Sequence, residues 1–159
     1  MIQKALQKIV SGGQTGTDRA ALDVAIQYGI KTGGWVPAGR QAEDGIISER
    51  YHLTETTARN YATRTQYNVR DSDGTLLFNL GELDGGTLKT FEHIQKLGKS
   101  CLMVQFDAAD QPSPSAAATW LQEQCICVLN VAGPRESKRP GIYQLSFDYL
   151  ADVLDMYLA

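Results

Sequence analysis

Five short apolar runs recur along this chain, and helical patterns separate most of them. The runs are "KIVSG" at 8–12, "TGGWV" at 32–36, "TLLFNL" at 75–80, "CLMVQF" at 101–106 and "CVLNVAG" at 127–133. Several lack strict alternation of apolar and polar residues, which is typical of strands covered on both faces. Strands that alternate with helices favour a parallel sheet. The sequence therefore predicts an α/β fold: a Rossmann-like three-layer α/β/α domain with a mostly parallel sheet of about five strands.

Helical patterns occupy the intervals between these runs. After the first run, apolar residues from Leu22 to Gly29 fall on one stripe of a helix. Thr87 is a candidate N-cap for a helix that ends near Gly98. Ser113 followed by Pro114 is a strong helix start. A last helix is predicted over "YQLSFDYLADVLDMYL".

The interval from Pro37 to Asp73 is the exception. It shows no clear strand, and only a short helix around "LTETTARNYATRT" is predicted. Connections this long are uncommon in compact domains and are usually functional or disordered. The apolar and aromatic content of the interval favours an ordered segment. At 159 residues, we expect a single ligand-binding domain over 1–159, with an ordered flap or lid at about 37–73.

The composition argues against several classes of function. A net charge of -3 and a pI near 5.3 are unlike a general nucleic-acid binder, which needs a basic face. No apolar run approaches the roughly 20 residues of a membrane span, and polar residues interrupt "MIQKALQKIV", where a signal peptide would be apolar. Three cysteines without paired spacing predict no zinc site. We expect a cytoplasmic protein that binds neither nucleic acid nor membrane.

Three glycine loops follow predicted strands: "SGGQTGTD" at 11–18, "LGELDGGT" at 80–87 and "NVAGPRESKRPG" at 130–141. In an open parallel sheet, ligands bind beyond the carboxyl ends of the strands. Glycine lets backbone N–H groups approach a ligand, and the following helix presents unpaired N–H groups and the positive end of its dipole. Three such loops predict a site for an extended, phosphate-bearing ligand. Whether they meet depends on the strand order, which the sequence leaves open.

The first loop matches neither of the two best-known phosphate motifs. It lacks the lysine that a P-loop requires, and its glycines at 12, 13 and 16 do not fit G-x-G-x-x-G. Gln14, Thr15 and Thr17 offer neutral donors and acceptors, and Arg19 can supply charge. Asp18 either favours the helix dipole or accepts from a ligand hydroxyl. A tight turn that only begins a helix is the alternative interpretation.

The third loop adds positive charge, because Arg135, Lys138 and Arg139 fall within five residues. Their position just after a buried strand favours contact with an anion. Solvated cations at the surface are the alternative.

The stretch "VRDSDGTLLF" contains D-x-D-G-T, the nucleophile motif of haloacid-dehalogenase-type phosphatases, with Asp71 and Asp73 in the catalytic positions. That chemistry places the aspartates at the end of an apolar strand, whereas here the apolar strand follows the motif. A turn that begins the third strand is favoured, and contact of Asp71 or Asp73 with a ligand stays open. Neither His52 nor His93 has a plausible nucleophile beside it, so no hydrolytic triad is predicted.

Several segments together resemble one known family. They are "GGQTGTDRAALDVA", "GGWVPAGR", "EDGIISERYHLTET", "YATRTQYNVRDSDGTLLF" and "NVAGPRESKRPGIY", and the resemblance runs from about residue 8 to the C-terminus. They are similar to the putative molybdenum carrier family, a branch of the SLOG superfamily of Rossmann-like proteins. The resemblance implies a homo-oligomeric carrier or storage protein for the molybdenum cofactor (molybdopterin) or a related phosphorylated pterin or nucleotide. It also implies molybdoenzymes as recipients.

The same superfamily includes the lonely-guy-type, lysine-decarboxylase-like phosphoribohydrolases, which carry G-G-x-G-T-x-x-E. Aligning Gly86 and Thr87 with the G-T pair places Thr90 where the catalytic glutamate stands. Glu92 lies two residues further on and points from another part of the helix. This departure favours binding without catalysis. The alternatives are a nucleotide-sensing regulatory domain or a phosphoribohydrolase-like enzyme with its general base among Asp18, Glu82, Asp84 and Glu92.

The leading hypothesis is a binding protein without catalytic residues or a resident metal. The three loops hold the ligand, Arg135 or Arg40 neutralises its charge, and the flap closes over it with Arg64, Thr65 and Asn68. The candidate cofactor-binding residues are Gly12, Gly13, Gln14, Thr15, Gly16, Thr17, Asp18, Arg40, Arg64, Gly85, Gly86, Thr87, Gly133 and Arg135. A Gly13→Val substitution is expected to remove binding with little change in fold. Tyr149 and Tyr157 are expected to be exposed aromatic residues that suit a dimer face.

Overall fold

The computed structural model describes residues 5–159. In chain order the elements are β1 (Lys8–Val10), α1 (Thr17–Gln27), β2 (Lys31–Gly33), β3 (Trp35–Val36), β4 (Gln41–Ala42), β5 (Gly45–Ile46), β6 (Thr54–Glu55), α2 (Tyr61–Arg70), β7 (Gly74–Asn79), α3 (Gly85–Leu97), β8 (Ser100–Gln105), α4 (Pro114–Glu123), β9 (Val128–Ala132) and α5 (Ile142–Tyr157). Within this range no helix is long and apolar enough to cross a membrane. The expectation about a signal peptide rests in part on residues 1–4, which lie outside the described residues.

The central sheet has five strands in the order β2-β1-β9-β7-β8, and all four pairings are parallel. The predicted Rossmann-like α/β fold with about five strands is confirmed. The last strand in the sequence, β9, lies in the middle of the sheet, between β1 and β7. If the strands are counted from β9, their order becomes 3-2-1-4-5, which is the usual order of dinucleotide-binding folds.

The helices form a layer on each face of the sheet. Both α1 and α4 pack against α5, whereas α2 packs against α3. Right-handed crossovers explain this division. The connection from β1 to β2 runs toward one edge of the sheet and that from β7 to β8 runs toward the other, so α1 and α3 lie on opposite faces. A crevice between diverging helices therefore opens at the carboxyl ends of β1, β9 and β7.

The main core lies between the sheet and the layer formed by α1, α4 and α5. Phe78 is fully buried there. Its ring stacks on Phe106 with a centroid separation of 5.4 Å and meets Tyr149 edge-on at 5.3 Å. Tyr149 is only 8% exposed and donates to the Pro112 carbonyl at 2.7 Å. The expectation that Tyr149 contributes to a dimer face is therefore wrong, because its ring is buried in the apolar core.

The segment 37–73 contains short strands, so the expectation of no strand there is wrong. The pair β4 and β5 forms an antiparallel hairpin, while β6 pairs in parallel with β3. Two-residue strands are too short to show a recognisable alternation of apolar and polar residues. Val36, Ile47 and Tyr51 pack with Leu22 of α1 in a second small core, which attaches this segment, here called the flap, to the sheet domain.

The boundaries of three predicted elements shift. The strand expected at 32–36 divides, because β2 joins the main sheet and β3 joins β6. The helix expected around 53–65 begins only at Tyr61, where the Asn60 side chain accepts from the Thr63 N–H at 2.9 Å. The N-cap of α3 is Asp84 and not Thr87. The predicted cap of α4 is confirmed, because Ser113 Oγ accepts from the Ala116 N–H at 3.1 Å.

Candidate functional site

The three glycine loops meet at one cavity of about 230 Å³. They do so because the strands that precede them, β1, β9 and β7, are neighbours in the sheet. The flap helix α2 closes one side of the cavity. Nine of the fourteen candidate residues line it: Gly12, Gln14, Asp18, Arg64, Gly85, Gly86, Thr87, Gly133 and Arg135. The sequence left open whether the three loops meet, and the strand order shows that they do.

Arg40 lies outside this cavity and has a structural role in the flap. Its guanidinium donates to the backbone carbonyls of Ile47, Ser48 and Tyr51, at 3.2, 2.8 and 3.0 Å. Three carbonyl acceptors use most of the donor capacity on one side of the guanidinium. The charge of Arg40 therefore stabilises the flap backbone.

Four candidate residues of the first loop lie behind the cavity wall. Thr17 Oγ1 and Ser146 Oγ are 2.9 Å apart in the interior. Gly16 packs against the backbone of the third loop, where an added Cβ would lie 2.4 Å from the Pro134 oxygen. Thr15 and Gly13 contact the flap. These residues support the first loop on the side that faces away from the cavity.

Gly13→Val does not isolate ligand binding, so the expectation of little change in fold is wrong. Gly13 has φ +70°, which side chains rarely adopt, and a Cβ would lie 3.0 Å from both Ile47 and Leu53 of the flap. The strain and the crowding would both disturb the flap. A different glycine is needed to test the cavity.

The cavity is also lined by residues outside the fourteen candidates. Thr65, Asn68 and Lys138 were expected to contact the ligand, whereas no such role was expected for Tyr61, Thr90, Asn130, Val131, Ala132 and Pro134. Asn130 was detectable in the sequence as a polar residue within a buried strand. It is 2% exposed, and its Nδ2 donates to Thr75 Oγ1 at 3.2 Å. No sequence pattern indicated Tyr61, because its position at the cavity depends on where α2 begins.

Arg64 is the main cation of the cavity. It is only 8% exposed, and its Nη1 donates to the Gly12 carbonyl in a short hydrogen bond. Its Nε has no hydrogen-bond partner among residues 5–159. Burial lowers the pKa of Arg64, while the Asp18 carboxylate opposes that shift. An incompletely satisfied guanidinium at a cavity wall favours the arrival of an anionic partner.

Asp18 faces Arg64 across the cavity floor, with 3.8 Å between Oδ2 and Nη1. Burial raises the pKa of Asp18 to about 6, although Arg64, the Gln14 N–H and Arg19 act in the opposite direction. The Gln14 N–H donates to Oδ2 at 3.3 Å. Burial therefore outweighs the ion pair, and Asp18 exchanges a proton near neutral pH.

The pKa of Asp18 predicts how stability changes with pH. Since the folded pKa lies above the ordinary 3.8, the folded state favours the protonated carboxyl, and the stability that this gives is lost as the pH rises from about 3.8 through about 6. A shift of this size corresponds to roughly 3 kcal/mol at most. We expect the advantage of Asp18→Asn over the wild type, in free energy of unfolding by urea, to be larger at pH 7.5 than at pH 4 by up to that amount. An equal difference at both pH values would contradict the raised pKa.

The first turn of α3 faces the same cavity through Gly85, Gly86 and Thr87. The N-cap residue Asp84 makes no side-chain hydrogen bond to this turn. Its carboxylate instead pairs with Lys138 Nζ at 2.7 Å and Arg139 Nη2 at 3.4 Å. The N–H groups of the first turn and the positive end of the helix dipole therefore stay available for an anion.

Among the acids considered as a general base, Asp18 alone lines the cavity. Glu82 and Glu92 are exposed, and Asp84 is held by Lys138. Thr90, at the position aligned with the hydrolase glutamate, lines the cavity and donates to the Gly86 carbonyl at 3.0 Å.

Asp71 and Asp73 directly precede β7, and neither lines the cavity. Asp73 accepts from the N–H groups of Cys127 and Val128, at 3.0 and 2.8 Å, which fixes the start of β9. Asp71 accepts from Trp35 Nε1 at 2.9 Å. Their roles are structural, which agrees with the interpretation of D-x-D-G-T as a turn before β7.

A dinucleotide-binding strand order with a cation-bearing cavity at the carboxyl ends of its strands defines a Rossmann-like ligand-binding protein. The sequence profile of the circularly permutated YpsA SLOG family matches residues 9–154. The chain belongs to this family. The permutation agrees with the place of β9, which is last in the sequence and central in the sheet.

One solved structure is similar over nearly the whole chain. It is the crystal structure of a protein named "Putative molybdenum carrier protein" from Syntrophus aciditrophicus SB, with 46% sequence identity and a TM-score of 0.85. The similarity covers 98% of this chain and 96% of that one. No curated protein matches the chain significantly. The family and this relative support a role in binding a small molecule.

Proposed function

We propose that the protein binds a phosphorylated small molecule in this cavity, and that the ligand is the molybdenum cofactor or a related phosphorylated pterin or nucleotide. The observation that carries the proposal is Arg64, a buried guanidinium that lines the cavity and whose Nε has no hydrogen-bond partner among residues 5–159. The name of the relative from Syntrophus aciditrophicus supports the choice of ligand. We further propose that residues 1–159 act as one binding domain, with the flap as its lid.

The phosphate would lie at the first turn of α3. There the N–H groups of Gly85, Gly86 and Thr87 supply hydrogen bonds, while Arg64 and Lys138 supply charge. Glycine at 86 leaves room for it, because a Cβ at Gly86 would meet no atom within 4 Å. This open space is where we place the phosphate oxygens.

The planar part of the ligand would lie toward the mouth. Typical ligand sites enclose roughly 300–1,000 Å³, so a cavity of about 230 Å³ holds the phosphate and its nearest groups rather than a whole cofactor. Tyr61 is 42% exposed and lies 5.1 Å from the Arg64 guanidinium, where its ring can stack on a pterin or nucleobase. Asn68 and Asn130 can hydrogen-bond the edge of such a ring. Molybdenum would travel as cargo of the ligand.

A carrier explains the cavity better than a hydrolase does, because a threonine stands in place of the expected glutamate. We propose that the protein stores or delivers its ligand in the cytoplasm as a homo-oligomer, with molybdoenzymes as recipients. Native mass spectrometry of the protein as purified, with elemental analysis for molybdenum, tests the ligand and the assembly together. A co-purifying pterin mass supports the carrier, whereas a nucleotide mass moves the assignment to nucleotide sensing or processing.

Gly86→Leu provides the direct test of the cavity. Gly86 is not at positive φ and has open space beside it, so leucine can be accommodated in the helix while its side chain fills the phosphate position. We expect calorimetry with the co-purifying ligand to show a loss of at least about 100-fold in affinity, equivalent to 2.7 kcal/mol or more. Thermal unfolding should change little.

Gly86→Ala is the matched control, because a methyl group occupies far less of the same space. It should weaken binding less than Gly86→Leu and stabilise the helix slightly. Full affinity in a folded Gly86→Leu variant would rule out the phosphate position at α3.

The second candidate function is a nucleotide-processing enzyme, favoured by Asp18, a buried carboxyl that titrates near neutral pH inside the cavity. Such a group can act as a general acid or base. Incubation with a panel of nucleoside monophosphates, followed by chromatography for free base, tests this activity. Base release that disappears in Asp18→Asn would establish the enzyme and overturn the pure carrier.

A further inference from the structure

A carboxylate of the flap occupies a set of donors beside the cavity. Glu43 lies in the turn between β4 and β5. Its Oε1 accepts from the Ser137 N–H at 3.1 Å and, in a short hydrogen bond, from Thr15 Oγ1. Its Oε2 accepts from Ser137 Oγ at 2.5 Å and lies 3.5 Å from Arg135 Nε. One carboxylate thus meets an N–H group, two hydroxyls and a guanidinium.

This donor set is suited to an oxyanion. Backbone N–H groups, hydroxyls and arginine are the groups that proteins use for phosphate and carboxylate. Burial alone would raise the pKa of Glu43, but hydrogen bonds from Ser137 and Thr15, with Arg135 nearby, hold it below its ordinary value. Glu43 is therefore a charged group resting on an anion-binding surface built by the first and third loops.

The donors are continuous with the cavity. Arg135 both lines the cavity and approaches Glu43. Gln14 also lines the cavity, and its Oε1 accepts from the Glu43 N–H at 2.8 Å. Arg135 therefore borders both the cavity and the donors that Glu43 occupies.

We propose that Thr15, Ser137 and Arg135 form a second anion subsite, for which the Glu43 carboxylate competes with an anionic group of the ligand. The chemical class is a diphosphate: the first phosphate lies at α3, as in the proposed function on which this inference rests, and the second displaces Glu43. A ligand with one phosphate leaves Glu43 in place. A ligand with two phosphates binds only by expelling the carboxylate.

The flap has other attachments that stay when Glu43 moves. Asp44 in the same turn pairs with Arg19 at 3.0 Å, and Arg40 holds the flap backbone from within. The backbone hydrogen bond from Glu43 to Gln14 does not need the carboxylate. Glu43→Ala should therefore open the subsite without releasing the flap.

The test compares inorganic orthophosphate and pyrophosphate by titration calorimetry on the full chain. We expect Glu43→Ala to raise the affinity for pyrophosphate about tenfold or more and to change that for orthophosphate in the cavity less than about threefold. Asp44→Ala is the matched control, since it removes one negative charge and one ion pair from the same turn. It should change both affinities less than about threefold.

The outcomes separate the two proposals. An equal gain for both anions, or no gain for pyrophosphate, overturns the second subsite while orthophosphate binding keeps the first. Binding of neither anion to any variant overturns the proposed function and the subsite with it. If Glu43→Ala does not fold, Glu43→Gln gives the same comparison, because the amide keeps hydrogen-bonding capacity and loses the charge that competes with phosphate.

Discussion

Replacing Arg64 with methionine should lower the affinity for a phosphorylated ligand by about 100-fold, because it removes a buried guanidinium whose Nε has no hydrogen-bond partner among residues 5–159. A hydrogen bond between charged groups contributes roughly 1.5–3 kcal/mol, and 1.4 kcal/mol corresponds to a factor of ten. Methionine occupies a comparable volume, so the wall of the cavity stays filled. Calorimetry at pH 7.5 with the ligand that co-purifies would measure the loss.

Arg70→Met is the matched control for this substitution. Arg70 lies on the same helix but is exposed, and it pairs with Asp71 at 2.8 Å away from the cavity. Its replacement should change affinity less than about twofold. Arg64→Met also leaves Asp18 without its cation, so the double variant with Asp18→Asn should regain stability without regaining affinity. Binding of Arg64→Met within about threefold of the wild type would show that the phosphate lies elsewhere.

A large loss of stability is expected for Gly16→Ala. Gly16 has φ 79° and ψ -131°, a conformation that is open almost only to glycine. An added Cβ would also lie 2.4 Å from the Pro134 oxygen and 2.8 Å from the Glu136 nitrogen. Because both are backbone atoms, no side chain can turn away to relieve the overlap. We expect a loss of roughly 3–5 kcal/mol in the free energy of unfolding by urea.

Gly29→Ala separates the cost of the backbone conformation from the cost of the close contact. Gly29 also has positive φ, at 69°, but a Cβ there meets nothing within 4 Å. Its substitution should cost only about 1 kcal/mol, which is the price of the backbone conformation alone. If the two variants lose equal stability, close contact between the first and third loops contributes nothing measurable.

The strands could be predicted from the sequence because hydrophobic burial dictates them locally. Each of the runs at 75–80, 101–106 and 127–133 corresponds to a strand within a residue or two. The position of the three glycine loops on one rim of the sheet followed from the same reasoning, whereas their meeting at one cavity depends on the strand order, which the sequence left open. The confirmed α/β fold therefore rests on short-range patterns.

Other features depend on partners that are distant in the sequence. β1 and β9 pair through Lys8 and Val128, and no local sequence pattern predicts which strands become neighbours. Arg40 was expected to meet a ligand, yet flap carbonyls hold it, because its neighbours are set by how the hairpin folds back. Tyr149 was expected at the surface, but its position on α5 directs its ring into the core.

The insertion of β9 between β1 and β7 has a consequence for how the chain folds. Until β9 is in place, β1-β2 and β7-β8 are separate ribbons whose inner edges present unpaired backbone groups. Contacts between segments so far apart in sequence form slowly. The pairing of β9 with both β1 and β7 therefore joins the two ribbons and delivers the third glycine loop in the same step. Ligand retention by nascent or refolding chains would accordingly report completion of the whole sheet, and partially folded chains would be the ones prone to aggregate.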